Sequence, residues 1–224
     1  VYGNTGSTLT VSDAGNSQWQ FASTGGLVTG IKRPGSTVDD VAITYGTSNV
    51  VTSLTKDGVT TNYARSVSGS TATTTITNAL SQTTVVEADV TRGRVTSIKN
   101  PFNEITSYQF DTNGRLTRTT QPEGNYVEYV YDARGNITQT TRIDKGGSGP
   151  GNIVTSASYS ATCTNAKVCN QPNSITDARG KVTDYTYDTG HGGVLTATAP
   201  AATSGGPRPQ ERHSYSTVAG ISLL

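Results

Sequence analysis

The sequence predicts an all-β fold built from tandem hairpins. Three observations point there: a composition weighted towards Thr and Tyr, an aromatic-Asp-Gly pattern that returns every 21 residues, and turn-forming residues at intervals between alternating strands.

Composition sets the bounds. Of 224 residues, 32% are hydrophobic and 15% charged, fewer core-formers than an ordinary globule and too little charge for ordinary disorder. Thr is the commonest residue, and 11 Tyr outnumber 3 Phe and 1 Trp. Thr and Tyr suit a pleated, half-buried surface. The net charge of +1, without a basic patch, gives no electrostatic footprint for nucleic acid. No apolar run approaches the roughly 18 residues of a membrane span. The absence of Met marks the chain as a processed protein or a piece of a longer one. Low charge, abundant Ser and Thr and a close Cys pair predict an extracellular or cell-surface location.

The repeat is the central feature. Tyr108 aligns with Tyr129, Phe110 with Tyr131, Asp111 with Asp132 and Gly114 with Gly135, each at an offset of 21. The same offset joins Gly93 to Gly114, Arg94 to Arg115 and Pro101 to Pro122. Downstream, Tyr185, Tyr187 and Asp188 repeat the aromatic-x-aromatic-Asp element, and Asp177 to Gly180 repeats the tetrapeptide Asp132 to Gly135. Upstream, residues 26–34 match residues 93–101, and Trp19 to Phe21 echoes Tyr108 to Phe110. The period is expected to be irregular outside residues 90–140.

One unit reads as one hairpin. Residues 126–131 alternate, with Val127, Tyr129 and Tyr131 on one face and Glu128 on the other. At Asp132-Ala-Arg-Gly135 the Asp side chain can accept a backbone N–H two residues on, and Gly supplies positive φ, the chemistry of a type I turn closed by a bulge. Pro122 and Gly124 form the next turn. Two strands of about six residues and two turns of about four account for the period.

The organisation expected is a single array over 1–224. Degenerate repeats fill 1–87 and regular ones 88–142. A Gly/Ser/Pro insertion occupies 143–157, a further repeat with the Cys pair 158–200, and a loop with a final strand 201–224. The stretches Lys145 to Gly151 and Ala201 to Pro207 read as surface loops.

The motifs Tyr-x-Phe-Asp-x-x-Gly-Arg-Leu at Tyr108 and Tyr-x-Tyr-Asp-x-x-Gly-Asn at Tyr129, with Pro-x-Gly at Pro122, resemble the YD repeat of the RHS family. The resemblance implies a long antiparallel sheet of hairpins wound into a curled shell. It implies a scaffold that encloses or displays a C-terminal effector, with other parts of the same polypeptide or neighbouring copies as partners through sheet edges. Related shells serve in adhesion, so a glycan-binding surface module and a self-assembling fibre are the alternatives. The chain has no Asp-Pro pair of the kind that ends many toxin shells.

Each candidate site has a structural explanation. Tyr108, Phe110, Tyr129, Tyr131, Tyr185 and Tyr187 form an aromatic ladder that packs across strands, or else a stacking platform for sugars. Asp111, Asp132, Asp177 and Asp188 read as turn caps, with Gly114, Gly135 and Gly180 in positive φ. No two of these carboxylates are expected to face each other across one bond, as a glycosidase requires. His191 and His213 lack the partners of a triad or a zinc site. No catalytic residue, cofactor or metal is assigned, and the chain is read as a non-enzyme. Cys163 and Cys169 flank five residues and are expected to bond across a hairpin loop. Arg134, at a turn tip, is expected to be dispensable, costing about 0.5 kcal/mol or less on truncation.

Overall fold

The computed structural model describes residues 2–147, 151–218 and 221–223. The chain divides into two compact units, residues 1–106 and 107–224. Among the described residues there are twenty-one strands and two single 3-10 turns, with no α-helix.

The first unit is an antiparallel meander. It holds β1 (Tyr2–Thr5), β2 (Thr8–Ser12), β3 (Gln18–Thr24), β4 (Leu27–Lys32), β5 (Val41–Tyr45), β6 (Val51–Lys56), β7 (Val59–Ser68), β8 (Thr71–Thr77), β9 (Thr83–Asp89) and β10 (Arg94–Lys99). Each strand from β1 to β9 pairs antiparallel with the next. The strand β11 (Ile105–Phe110) begins at the boundary.

The second unit continues with β12 (Leu116–Thr120), β13 (Tyr126–Tyr131), β14 (Ile137–Ile143), β15 (Ile153–Ser158), β16 (Ser174–Thr176), β17 (Val182–Tyr187), β18 (Val194–Thr198) and β19 (Gln210–Arg212). Pairing is again strictly sequential from β11 to β19. A separate two-stranded ribbon joins β20 (Ser216–Val218) to β21 (Ile221–Leu223). The insertion expected over 143–157 is shorter than that, because β14 runs to Ile143 and β15 starts at Ile153. Of the Lys145–Gly151 stretch, residues 148–150 lie outside the described residues.

The repeat is more regular than the sequence suggests. Turn glycines fall at Gly25, Gly46, Gly69, Gly93, Gly114 and Gly135, so successive hairpins advance by 21 to 24 residues well upstream of position 90. The upstream turns escape notice because other residues take the left-handed position. Asn16, Ser81 and Asn103 hold φ of 63°, 61° and 64°. In each case an Asx residue three positions earlier accepts the closing amide: Asn16 N–H donates to the Asp13 carbonyl, Ser81 to Asn78 and Asn103 to Asn100. Asn tolerates that region by bonding locally, so Gly is not the only marker of the turn.

Burial is shallow throughout. Only Gly30, Ala72, Thr141 and Cys169 are buried, and no large side chain is fully buried, among the described residues. Within each unit, strands make substantial contact only with their neighbours in sequence. The chain exposes 14457 Å². A globular chain of its 23.3 kDa exposes about 9,700 Å² by the usual surface-to-mass relation. Each unit is therefore a single layer of strands, with half-buried faces in place of a core.

Candidate functional site

The recurrent tyrosines and aspartates take two distinct jobs at the end of a strand. Asp132 closes the turn between β13 and β14. Its amide donates to the Asn136 carbonyl at 2.9 Å, and Gly135 N–H returns to the Asp132 carbonyl at 3.1 Å. Its carboxylate Oδ1 accepts the amides of Arg134 and Asn136 at 2.8 and 2.9 Å. Gly135 holds φ of 92°. The register slips between Val130 and Tyr131, which is the bulge that such a turn demands. Asp111 repeats this with the Arg115 amide at 2.8 Å, and Asp177 with Arg179 and Lys181 at 2.9 and 2.8 Å. Asp188 opens a wider loop, accepting the amides of Gly190 and His191 at 2.7 and 3.0 Å.

These bonds favour the ionised carboxylate. Asp111 lies below its ordinary value chiefly through the Arg115 amide, Asp177 through that of Lys181, and Asp188 through that of His191. For Asp132 desolvation is the largest influence and raises the value, but bonds from Asn136 and Arg134 outweigh it and the net shift is downward. The carboxylates are thus occupied with their own turns. Among the described residues no cluster of three or more His, Cys, Asp or Glu could hold a metal ion.

The tyrosine hydroxyls have a role that the sequence reading missed. Tyr131 Oη donates to the Leu116 carbonyl at 2.7 Å, and Tyr187 Oη to the Pro172 carbonyl at 2.8 Å. Tyr45 reaches Val28 at 2.8 Å, Tyr159 reaches Ile137 at 3.2 Å and Tyr215 reaches Val194 at 3.0 Å. Each aromatic lies at or just beyond the end of a strand, and each acceptor lies at or near the start of the strand before it. A ring alone could pack there, but only Tyr can also tie down that carbonyl. The excess of 11 Tyr over 3 Phe was the available signal. Tyr129 and Tyr108 are half-buried on their strands, and Tyr185 lies beside Tyr187 with ring centroids 6.4 Å apart.

In the second unit, turns after odd-numbered strands close one side of the meander and turns after even-numbered strands close the other. Along the odd side, side-chain donors link each turn to the next. Arg115 pairs with Asp111 at 2.7 Å, donates to the Asp132 carbonyl at 2.8 Å, and lies 4.9 Å from the Tyr131 ring centroid. Arg134 then reaches the long connection 159–173, donating to the carbonyls of Ala161 at 3.1 Å, Ser160 at 2.5 Å and Cys169 at 3.3 Å. From that connection Asn165 donates to the Thr189 carbonyl at 2.8 Å, Gln171 to Gly192 at 2.5 Å, and Lys167 to Gly190. His191 stacks edge-on against Tyr215 at 4.5 Å and accepts the Gly193 amide at 3.1 Å.

Two expectations are corrected here. Arg134 is not a spare tip residue: its side chain is 25% exposed and bound to three carbonyls of a loop whose sequence carries no repeat signal. Cys163 and Cys169 are bonded to each other with Cα atoms 5.0 Å apart, but not across paired strands. They close a single helix-like turn inside the connection, in which the Asn165 carbonyl accepts the amides of Val168 and Cys169 at 3.1 and 2.9 Å. Asn165 Oδ1 starts that turn by accepting the Lys167 amide at 3.0 Å. Tetrapeptide Asp177 to Gly180, moreover, sits between β16 and β17, on the even side, where Gln121 to Gly124 sits in the regular repeat.

Such a layer of hairpins, many closed by Asx-capped turns and five tied by a tyrosine hydroxyl, defines a repeat protein. The family model named RHS Repeat matches residues 91–126 and 110–147, two overlapping copies, so that stretch of the chain carries RHS repeats. No curated protein sequence matches. Among solved structures, a crystal structure of TcdB2-TccC3-TEV is similar at 17% identity and a TM-score of 0.47, over 93% of this chain and 12% of that one. A crystal structure of TcdB2-TccC3-Cdc42 is similar at 14% identity and a TM-score of 0.49, over 97% of this chain and 12% of that one. The chain thus spans about an eighth of the length of these proteins. No described helix is long and apolar enough to cross a membrane.

Proposed function

We propose that this chain is a wall segment of a secreted or surface RHS polypeptide, enclosing or displaying another part of that polypeptide without chemistry of its own. The observation that carries the reading is the single layer: repeated hairpins with no large fully buried side chain among the described residues, in which five tyrosine hydroxyls and the recurrent turn aspartates are bonded to backbone. A sheet of this kind leaves its half-buried faces for something else to cover, because large exposed apolar area is uncommon on a finished surface. Val38, Val59, Leu80 and Phe102, at 69%, 59%, 78% and 76% exposure, lie at or beside the turns that follow the even-numbered strands of the first unit and add to that area. Other parts of the same polypeptide are the partners this reading requires.

Protease protection in the intact polypeptide tests it. A segment outside residues 1–224 is expected to resist a nonspecific protease, and deletion of the hairpins spanning 107–143 should expose it. Cleavage there should rise by about tenfold or more, in step with the opened population. Unchanged protection after the deletion, or the lack of any protected segment, overturns the reading.

A further inference from the structure

The connection 159–173 is the only bridge described between the 132–136 and 188–193 turns, and a disulfide closes its centre. We propose that the Cys163–Cys169 disulfide is a reducible latch. Oxidised, it holds the connection in the shape that docks Arg134 on one side and the Thr189, Gly190 and Gly192 carbonyls on the other. Reduced, it frees both turns from each other while the rest of the sheet persists.

Three observations support this. First, the disulfide is asymmetric: Cys163 is exposed whereas Cys169 is 3% exposed. An incoming thiolate therefore approaches from the Cys163 side. Second, the buried half is part of the docking surface, because the Cys169 carbonyl is itself an acceptor for Arg134 and its amide closes the helix-like turn. Third, all three donors to the far turn, Asn165, Lys167 and Gln171, lie within or just beyond the loop that the disulfide closes. A single helical turn has little stability without a constraint. Loss of the crosslink therefore releases the donors to both neighbours together.

The chemistry is thiol–disulfide exchange with an external dithiol. Its thiolate attacks Cys163 Sγ, the Cys163–Cys169 S–S bond breaks, and Cys169 leaves as a thiolate that takes up a proton. The second thiol of the reductant then attacks the mixed disulfide and releases Cys163. Two electrons pass to the cysteines and the dithiol ends as a disulfide. The latch stands on this geometry alone and does not depend on what the wall encloses.

Trypsin supplies the test, because the chain contains its own reference. Arg134 and Arg179 occupy copies of the same tetrapeptide in the same kind of turn, but the Arg179 side chain is 85% exposed and pairs with Asp177. In the oxidised chain, cleavage after Arg134 should be slower than after Arg179 by about tenfold, since proteolysis follows local opening. Treatment with dithiothreitol should bring the two rates within about threefold, with cleavage after Arg65 and Arg92, both in the first unit, unchanged. The variant Arg134→Ala, with the disulfide intact, serves as a second measurement. Cleavage after Lys167 in that variant should still rise on reduction, which separates the crosslink from the arginine. An unchanged ratio of Arg134 to Arg179 cleavage on reduction overturns the latch. So does a parallel rise at Arg65 and Arg92, which would make the disulfide a staple of the whole fold.

Discussion

The tetrapeptide Asp-Ala-Arg-Gly occurs twice, at Asp132 and at Asp177, and the two copies fold alike. Each begins with an Asp whose Oδ1 accepts the amides two and four residues on, and each ends in a Gly of positive φ, 92° and 73°. Their surroundings differ. Tyr131 precedes the first and Thr176 the second. Arg134 enters the neighbouring connection at 25% side-chain exposure, while Arg179 stands in solvent at 85%. Four residues determine the turn, and the meander determines which side it closes and what its arginine touches.

Substitutions can break this comparison or sharpen it. The largest difference is expected just before the turn. Tyr131→Ala removes a half-buried ring, its bond to the Leu116 carbonyl and the contact with Arg115, and should cost about 3 kcal/mol, against about 0.5 for Thr176→Ala. Denaturant midpoints of the two variants measure it. Tyr131→Phe isolates the hydroxyl and should cost about 1 kcal/mol.

Next come the glycines, where the copies should agree. A Cβ on Gly135 would meet only Arg115 Cδ at 4.0 Å, and one on Gly180 nothing within 4 Å. Only the backbone opposes Gly135→Val and Gly180→Val, so each should lose about 2 kcal/mol in urea titrations. Unequal losses would show that the two turns are not equivalent.

The arginines should then diverge. Arg134→Ala leaves three carbonyls without their donor and should cost about 2 kcal/mol in thermal or denaturant unfolding. Arg179→Ala should cost about 0.5 or less. Equal effects would remove the distinction drawn between the two sides.

The smallest effect is in acid. Asp132 and Asp177 both titrate below their ordinary value in the fold. A carboxylate depressed by folding contributes stability that is present above its unfolded pKa and is lost as pH falls through the folded one. Both turns should therefore weaken below about pH 4. Asp132→Asn keeps an oxygen for the Arg134 and Asn136 amides but cannot titrate. It should flatten the decline of the urea midpoint with falling pH.

What the sequence made legible was what is local. Asp111, Asp132 and Asp177 with their glycines carry the turn in their own side chains and backbone, so the hairpin and its 21-residue advance could be read directly. Asn78 to Ser81 and Asn100 to Asn103 build the same turn from residues that serve many other purposes, and the upstream repeats were accordingly seen as degenerate. The partners of Arg134 lie 26 to 35 residues away in a connection with no pattern. A tyrosine hydroxyl likewise finds its carbonyl 15 to 22 residues back. Spacing shows that an aromatic faces a neighbouring strand, but not which carbonyl awaits it there.

The single layer also shapes the response to heat. An unfolded chain of 23.3 kDa exposes about 33,800 Å², so unfolding this one uncovers about 19,300 Å², where a globule of equal mass uncovers about 24,000. The heat-capacity increment and the denaturant slope both follow newly exposed surface. Each should be about four-fifths of the globular value. A smaller increment flattens the curve of stability against temperature, so a sheet one layer thick holds whatever modest stability it has over a wide thermal range.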